Sequence, residues 1–416
     1  MSQSRTLFIG MDVHNETIAV AYITQDHGAD VTSLGTIGTR QCAIDQLVRK
    51  MPSQATHLLF VDAAGPCGSW LSRSLRTKGH GCWVVAPSLL PKQAGDRVKT
   101  DRRDAIQVAR LMRAGDLTPV SGPAVHDDAL RDLSRAREET RHDLKTATFR
   151  LQACLLRHAL RSTGRATWGP AHLRWLREVV CPTPAPPIVF HASVRAVTAH
   201  TARLQRLAQA RREQVTAWRL GPVVDAWHAL RGVQLAVAVT PVAALGDLTR
   251  FENPRQRMHD LGLTPSEYAS GEPRRQGGIT QTGPTHARRA LVEGAWASRS
   301  PAKGSRHLPL RLAKLPKPIQ DVRWKAQVRL GTRSRQLSAR GKNPHQVVVA
   351  MARELRAFLG AMAQQVPVTA ERRRLYGPYI ERSKGWQGKV PKAMGREAAP
   401  VWCHPRRREE VKNPRS

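Results

Sequence analysis

The chain opens with short apolar runs separated by turn formers. Residues 6–13 form one such run, which ends in Asp12 and Val13, and residues 17–24 form a second, with Gly28 marking the turn beyond it. Residues 31–39 make a weaker third. Short runs rich in β-branched residues between turn signals predict strands, and three in succession predict an antiparallel meander. Residues 41–51 change to helical spacing, with Ile44, Leu47 and Val48 on one side. Residues 57–61 read as a buried strand that ends at Asp62. A helix at 70–76 and a strand at 82–86 follow, and then an amphipathic helix starts at Asp101 and carries Ile106, Val108, Ala109, Leu111 and Met112.

Three strands followed by alternating helix and strand is the order of an α/β, ribonuclease-H-like domain, assigned here to residues 1–120. Beyond Gly115 the pattern lengthens. Residues 126–160 are rich in Arg, Glu and Leu, and Leu144, Ala147, Leu151 and Leu155 recur at helical steps. Residues 194–218 place Val194, Val197, Thr201, Leu204, Ala208, Val215 and Trp218 at steps of mostly three and four, interrupted by Arg211. This spacing predicts a coiled-coil-like seam. With a Pro-bearing connector at 181–187 it predicts a helical, coiled-coil-like arm over 121–225, able to pair two copies of the chain. An ordinary helical bundle accounts for the same spacing. Residues 226–365 form a mainly α C-terminal domain with helices at 288–296, 322–340 and 346–363. The basic segment 366–416, punctuated by Pro and Gly, is expected to be disordered on its own.

Charge narrows the class of partner. The 416 residues carry 67 Lys+Arg against 32 Asp+Glu, a formal net charge of +35. A polyanion is implied, nucleic acid ahead of membrane. A coding preference for Arg would choose between the two bases without doubling base over acid. Cys42, Cys67, Cys82, Cys154, Cys181 and Cys403 are scattered with no CxxC pair, which suggests neither a disulfide framework nor a zinc site. The opening strand pattern is no signal peptide, and the apolar run 233–245 is too short to span a bilayer and contains Pro241. A cytoplasmic, nucleoid-associated protein without a membrane partner is expected.

Against this basic background the placement of acids carries the chemistry. Asp12 ends the first strand, Asp62 the fourth, and Asp101 and Asp104 open the helix after the fifth. Residues three apart share a helical face, and in a ribonuclease-H-like sheet the first and fourth strands are neighbours. These carboxylates would then meet in one cleft, where they repel unless divalent cations lie between them. Mg2+ or Mn2+ held by such oxygens suits phosphoryl transfer. The competing reading of Asp101 and Asp104 is a helix cap, which one Asp would satisfy. Further on, Ser270 precedes Gly271 in a predicted flexible loop, with Arg274 and Arg275 close behind. Such a hydroxyl among cations suits phosphate contact better than nucleophilic attack, because no general base stands beside it. Arg288 and Arg289 open a basic helix and extend the expected phosphate contacts.

Three blocks carry a family resemblance: Gly10-Met11-Asp12-Val13-His14, then Lys99-Thr100-Asp101-Arg102-Arg103-Asp104-Ala105, and a long third block. The third runs from Phe251 through Leu261-Gly262-Leu263-Thr264-Pro265, Ser270-Gly271 and Gly277-Gly278-Ile279-Thr280 to Trp296. Over roughly residues 6–363 the chain resembles transposases of the insertion-sequence-110 family. That resemblance implies a RuvC-like domain bearing an Asp-Glu-Asp-Asp set and a C-terminal domain that supplies a serine. It also implies Mg2+-assisted, site-specific recombination, in which the serine attacks the DNA phosphodiester and holds the strand covalently. A guide RNA from the element, pairing with donor and target DNA, is implied as well. By motif position Asp12, Asp101 and Asp104 match three of the acids, and Ser270 matches the serine. The family's Glu falls on Asp62 when counted from the strand, and on Ala63 when counted back from Gly65-Pro66-Cys67-Gly68. Gln281 and Pro284 replace a Lys and an Asn usual after Gly-Ile-Thr, and Ala244 stands where an acid is common. Exchange between two duplexes implies a dimer or tetramer. Two other readings remain open: a junction-resolving nuclease with water as nucleophile, and a copy that binds nucleic acid without chemistry.

Overall fold

The meander is laid down by β1 (Thr6–Val13), β2 (Thr17–Thr24) and β3 (Thr32–Gly38), each antiparallel to the next. The computed structural model describes residues 6–366 except 27, 52–56, 66, 68, 92–99, 121, 123, 163–167, 180–184, 247, 249–250, 252, 270–272, 301–311 and 314. Ser270, Lys99 and, apart from Val366, the basic segment 366–416 therefore lie outside the described residues. On the other side of β1, β4 (His57–Ala63) and β5 (Gly81–Val85) add in parallel, and the two-residue β6 (Pro119–Val120) closes the edge antiparallel. The order is β3-β2-β1-β4-β5-β6, so the first and fourth strands are neighbours.

Side chains alternate across a strand, and β1 shows what each face meets. Leu7, Ile9, Met11 and Val13 pack with Phe60, Leu71, Leu75 and Cys82 beneath α1 (Gln41–Lys50) and α2 (Ser69–Thr77). On the opposite face Phe8, Val61 and Val85 pack with Val108, Ala109 and Met112 of α3 (Asp101–Ala114). Burial on both faces explains why β1 reads as a nearly continuous apolar run. Gly10 lies directly beneath α3. A Cβ there would stand 2.2 Å from the Ala105 carbonyl oxygen and 2.7 Å from the Ala109 nitrogen, so only glycine permits this approach. Helix α3 ends at Gly115, whose φ of 79° is the left-handed conformation suited to a C-terminal stop.

The helical part begins with α4 (Val125–Arg157), which packs along α6 (Ala185–Thr216). Near its start Leu130 shares a cluster with Val215 and Trp218, and near its end Leu151 and Leu155 share one with Phe190 and Val197. The two helices therefore run antiparallel. Two details differ from the sequence expectation. A further helix, α5 (Pro170–Glu178), stands between them and buries Leu176 against their far end. The expected connector 181–187 is also shorter: Ala185 already begins α6, because Pro186 and Pro187 fit a first turn whose N–H groups lack helical partners.

A second core gathers α7 (Gly221–His228), α8 (Leu235–Leu245), α9 (Pro254–His259), α10 (Thr285–Ala295), α11 (Lys317–Ala339) and α12 (Pro344–Gln364). Trp227 is fully buried there and donates Nε1–H to the Leu359 carbonyl at 2.9 Å. Polar contacts join the sheet to this core. Arg73 of α2 meets Asp128 of α4 at 2.6 Å. Arg131 of α4 donates to the carbonyls of Ala243 and Ala244 at 2.6 and 2.7 Å, satisfying the last turn of α8. Buried Asp127 accepts from Trp218 Nε1 at 2.9 Å and pairs with Arg219.

Replacing Gly10 with Ala forces a clash with backbone rather than with a flexible side chain. The expected loss of unfolding free energy is about 1–3 kcal/mol or more, measured by urea denaturation. Unchanged stability would refute the close seating of α3.

Candidate metal centre

The alternation that buries Phe8 under α3 sends Asp12 to the same side, where the first turn of α3 lies. Thr100 caps that helix, its side-chain oxygen accepting from the Arg103 amide at 3.4 Å. The cap position is thus filled, and Asp101 and Asp104 are not the capping residues. Asp12 Oδ2 and Asp101 Oδ1 each stand 3.3 Å from Nε2 of His14. One ligand atom from each of Asp12, His14 and Asp101 lies within 4.8 Å of the others. Burial, the largest influence, raises the Asp12 carboxyl above its ordinary value; His14 opposes it, and the charges of Asp104 and Asp101 add to the rise. Asp104 therefore belongs to the same field.

His14 was not singled out from the sequence. A signal was present, because a residue two beyond Asp12 at a strand end returns to the same side.

Asp62 stands elsewhere. It is in register with Met11, on the face covered by α1 and α2, and is fully buried. Neither carboxylate oxygen has a hydrogen-bond partner among the described residues. Burial, and after it the Asp12 charge, push its pKa up to about 7, against a smaller lowering from the Ala63 backbone. The residue of β4 on the Asp12 side is Ala63, which faces Val85 in the next strand. Of the two positions left open by motif matching, Ala63 is the one on the acid face. A one-residue shift reverses every side chain of a strand.

Around Ser270, which lies outside the described residues, the expected flexible loop is largely a hairpin of β7 (Pro265–Ala269) and β8 (Arg274–Ile279). Its exposed polar residues lack the apolar alternation that marks a strand in sequence. Arg274 bonds Glu267 across the hairpin at 2.6 Å and holds that carboxyl below its usual range, while Arg275 is exposed. Arg288 does not face solvent. It is buried and donates to the carbonyls of Leu261 at 3.1 Å and Thr282 at 2.9 Å, so it braces the hairpin root. Arg289 bridges Glu138 at 2.9 Å and Glu293 at 3.4 Å.

The sheet order, with acids gathered beyond its first strand, is consistent with a ribonuclease-H-like domain joined to a helical C-terminal part. Residues 9–159 match a family model described as Transposase, of the DEDD type, and residues 226–307 match one described as Transposase IS116/IS110/IS902 family. A protein of Sinorhizobium fredii bearing the transposase name y4qE is 40% identical over 365 residues, covering 88% of this chain and 90% of its own. The transposase for insertion sequence element IS1533 of Leptospira borgpetersenii is 28% identical over 342 residues, 81% of this chain and 98% of its own. The chain belongs to the IS110 family of transposases. Membership implies an enzyme of DNA transposition, and the DEDD domain points to divalent metal use. Among the described residues, no helix is long and apolar enough to cross a membrane.

The raised Asp62 pKa has a consequence for stability. An unfolded Asp titrates near 3.8, so the folded chain binds the extra proton between that value and about 7. The penalty is fully present above pH 7 and disappears as pH falls towards 4. Asp62→Asn should therefore be more stable than wild type at pH 8 by a few kcal/mol, with the gap closing by about pH 4. Thermal unfolding across that pH range, with chelator present, checks it; a pH-independent gap would contradict the burial argument.

Proposed function

We propose that this chain is the recombinase of an insertion sequence, cutting and rejoining DNA at a divalent-metal site formed by Asp12, Asp101 and Asp104 with His14 beside them. The observation that carries the reading is the convergence of Asp12, His14 and Asp101 ligand atoms within 4.8 Å, at the first turn of a helix that already has its own cap. Carboxylate oxygens with one imidazole fit a hard cation such as Mg2+ or Mn2+. When bound, such a cation draws negative charge from a phosphodiester and steadies the oxygens that exchange on phosphorus.

The chain's own residues have separate tasks. Asp12 and Asp101 supply anionic oxygens, and His14 orients both. Ser270 is the nucleophile in this reading: its Oγ–P bond forms as a bridging P–O bond breaks, its proton leaves to solvent, and the departing oxygen takes one up to become a free strand hydroxyl. Rejoining reverses the step, so the number of phosphodiesters is conserved and no energy source is needed. Arg275, at the exposed end of the hairpin, is the cation best suited to the phosphate, since Arg274 is paired and Arg288 is buried. A guide RNA belongs to this reading through the resemblance, with the charge of +35 supporting a nucleic-acid partner. Two or four copies, meeting through α4 and α6, complete it.

A second reading is favoured by Ala63. With Ala63 in place of the family's Glu carboxylate, the chain would be a copy that binds DNA without cutting it.

Strand cleavage and rejoining on the element's own ends, followed with purified protein and Mg2+ or Mn2+, separates the two. Asp12→Asn and Asp101→Asn should each lower the rate by more than ~100-fold, beyond the loss expected for an outer-shell partner. His14→Asn should weaken metal affinity by about 10–100-fold in calorimetry. Ser270→Ala should abolish the covalent protein–DNA adduct. Wild-type protein that binds DNA yet cleaves with neither metal would establish the second reading, and cleavage retained by Ser270→Ala would remove the serine from the mechanism.

A further inference from the structure

Helix α11 presents an outer face that the metal centre does not use. Trp324, Val328, Gly331 and Arg335 recur there at steps of three and four, and Trp324 and Val328 are 53% and 44% exposed. Large apolar side chains on a helix that already buries Ile319, Ala326 and Leu330 inward have no packing role of their own. A hollow of about 560 Å³ lies between Trp324, Val328 and Phe358, edged by Lys325 and Arg329. At Val328 it meets a second, of about 170 Å³, where Gly331 leaves room between Arg299 and Arg335. The two hollows share Val328; the first is lined by the aromatic rings of Trp324 and Phe358, and both have cationic margins.

Of the cations around them, one is paired and two form no ion pair among the described residues. Among the described residues no carboxylate lines either hollow. Arg329 is held by Glu354 at 3.0 Å, whereas Lys325 and Arg335 form no ion pair among the described residues. Arg299 lies over the Trp296 ring at 5.3 Å. In sequence, residues 294–320 contain no acid and include Arg299, Lys303, Arg306, Arg311, Lys314 and Lys317.

We propose that this face of α11 holds single-stranded DNA, one base stacking on Trp324 while Lys325, Arg299 and Arg335 take the backbone. An exposed indole among cations is the arrangement that binds unpaired nucleic acid, since every base offers a π-face and the phosphates supply the counter-charge. A duplex offers no such face, because its bases are already stacked on one another. A second copy of the chain, itself at +35, would bring like charge against the same cations. DNA is the strand chosen because the family acts on DNA, and breaking and rejoining duplexes separates strands near the cut.

The test uses the full chain with EDTA present, so that failure of the metal reading does not enter. Fluorescence anisotropy of a labelled oligothymidylate of about twelve nucleotides, at raised salt, should show Trp324→Ala binding about 5- to 150-fold more weakly. Trp324→Phe should retain most of the affinity, and duplex binding should not change. Lys325→Gln and Arg335→Gln should each reduce the salt slope by about 0.7. An oligonucleotide bearing 5-iodouracil should photo-cross-link to the peptide that contains Trp324. Equal binding by Trp324→Ala, with cross-links elsewhere, would overturn the proposal. So would Trp324→Ala changing the sedimentation of the protein alone, which would make the face a contact between copies. An oligouridylate held through Trp324 in place of the DNA would assign the face to RNA.

Discussion

The acid site rests on how closely α3 lies on β1. With any side chain at position 10 the helix backbone would have to rise, since a Cβ would meet the Ala105 carbonyl at 2.2 Å. The acids at the start of that helix would rise with it. Carboxylates cannot be held this close by attraction to one another; packing of Phe8, Val108, Ala109 and Met112 beneath the helix must hold them against repulsion. Apolar contact between α3 and the sheet thus fixes the spacing of a polar site that would not assemble alone.

Elsewhere, among the described residues, a few buried acids tie down bases of the helical part. Asp127 joins Trp218 and Arg219 where α4 meets the corner after α6. Glu354 receives both Arg329 and Arg333, at 3.0 and 2.6 Å, and Asp260 pairs with fully buried Arg356 at 2.6 Å. Removing one partner of such a pair would leave a charge stranded in low dielectric, which costs more than the pair itself contributes. The excess of base is one of composition, 67 Lys+Arg against 32 Asp+Glu, and a charge of that sign suits a polyanion.

Patterning of the chain showed the strands of the sheet, the long helices and the acids at their ends, because burial on both faces of β1 and helical steps of three and four leave marks in one dimension. Where no such mark exists the structure adds what was missing. Helix α5 is short and only Leu176 and His172 are buried on it. The β7–β8 hairpin is largely exposed and shows no alternation of apolar and polar residues. Arg288 and Arg289 are adjacent and look alike in sequence, yet a turn of the helix buries the first against the carbonyls of Leu261 and Thr282 and directs the second to Glu138 and Glu293.

The residue types alone determined that this is a basic, mixed α/β and helical protein with acids at two strand ends and one helix start, and the motif blocks determined its family. Tertiary structure decided which of those acids share a face. Asp12 and Asp62 sit at matching ends of neighbouring strands, but their registers differ by one residue, and a pleated strand turns successive side chains to opposite sides. Spacing along the chain records neither register nor face, so only the folded sheet separates Asp62, buried under α1 and α2, from Asp12 beside Asp101.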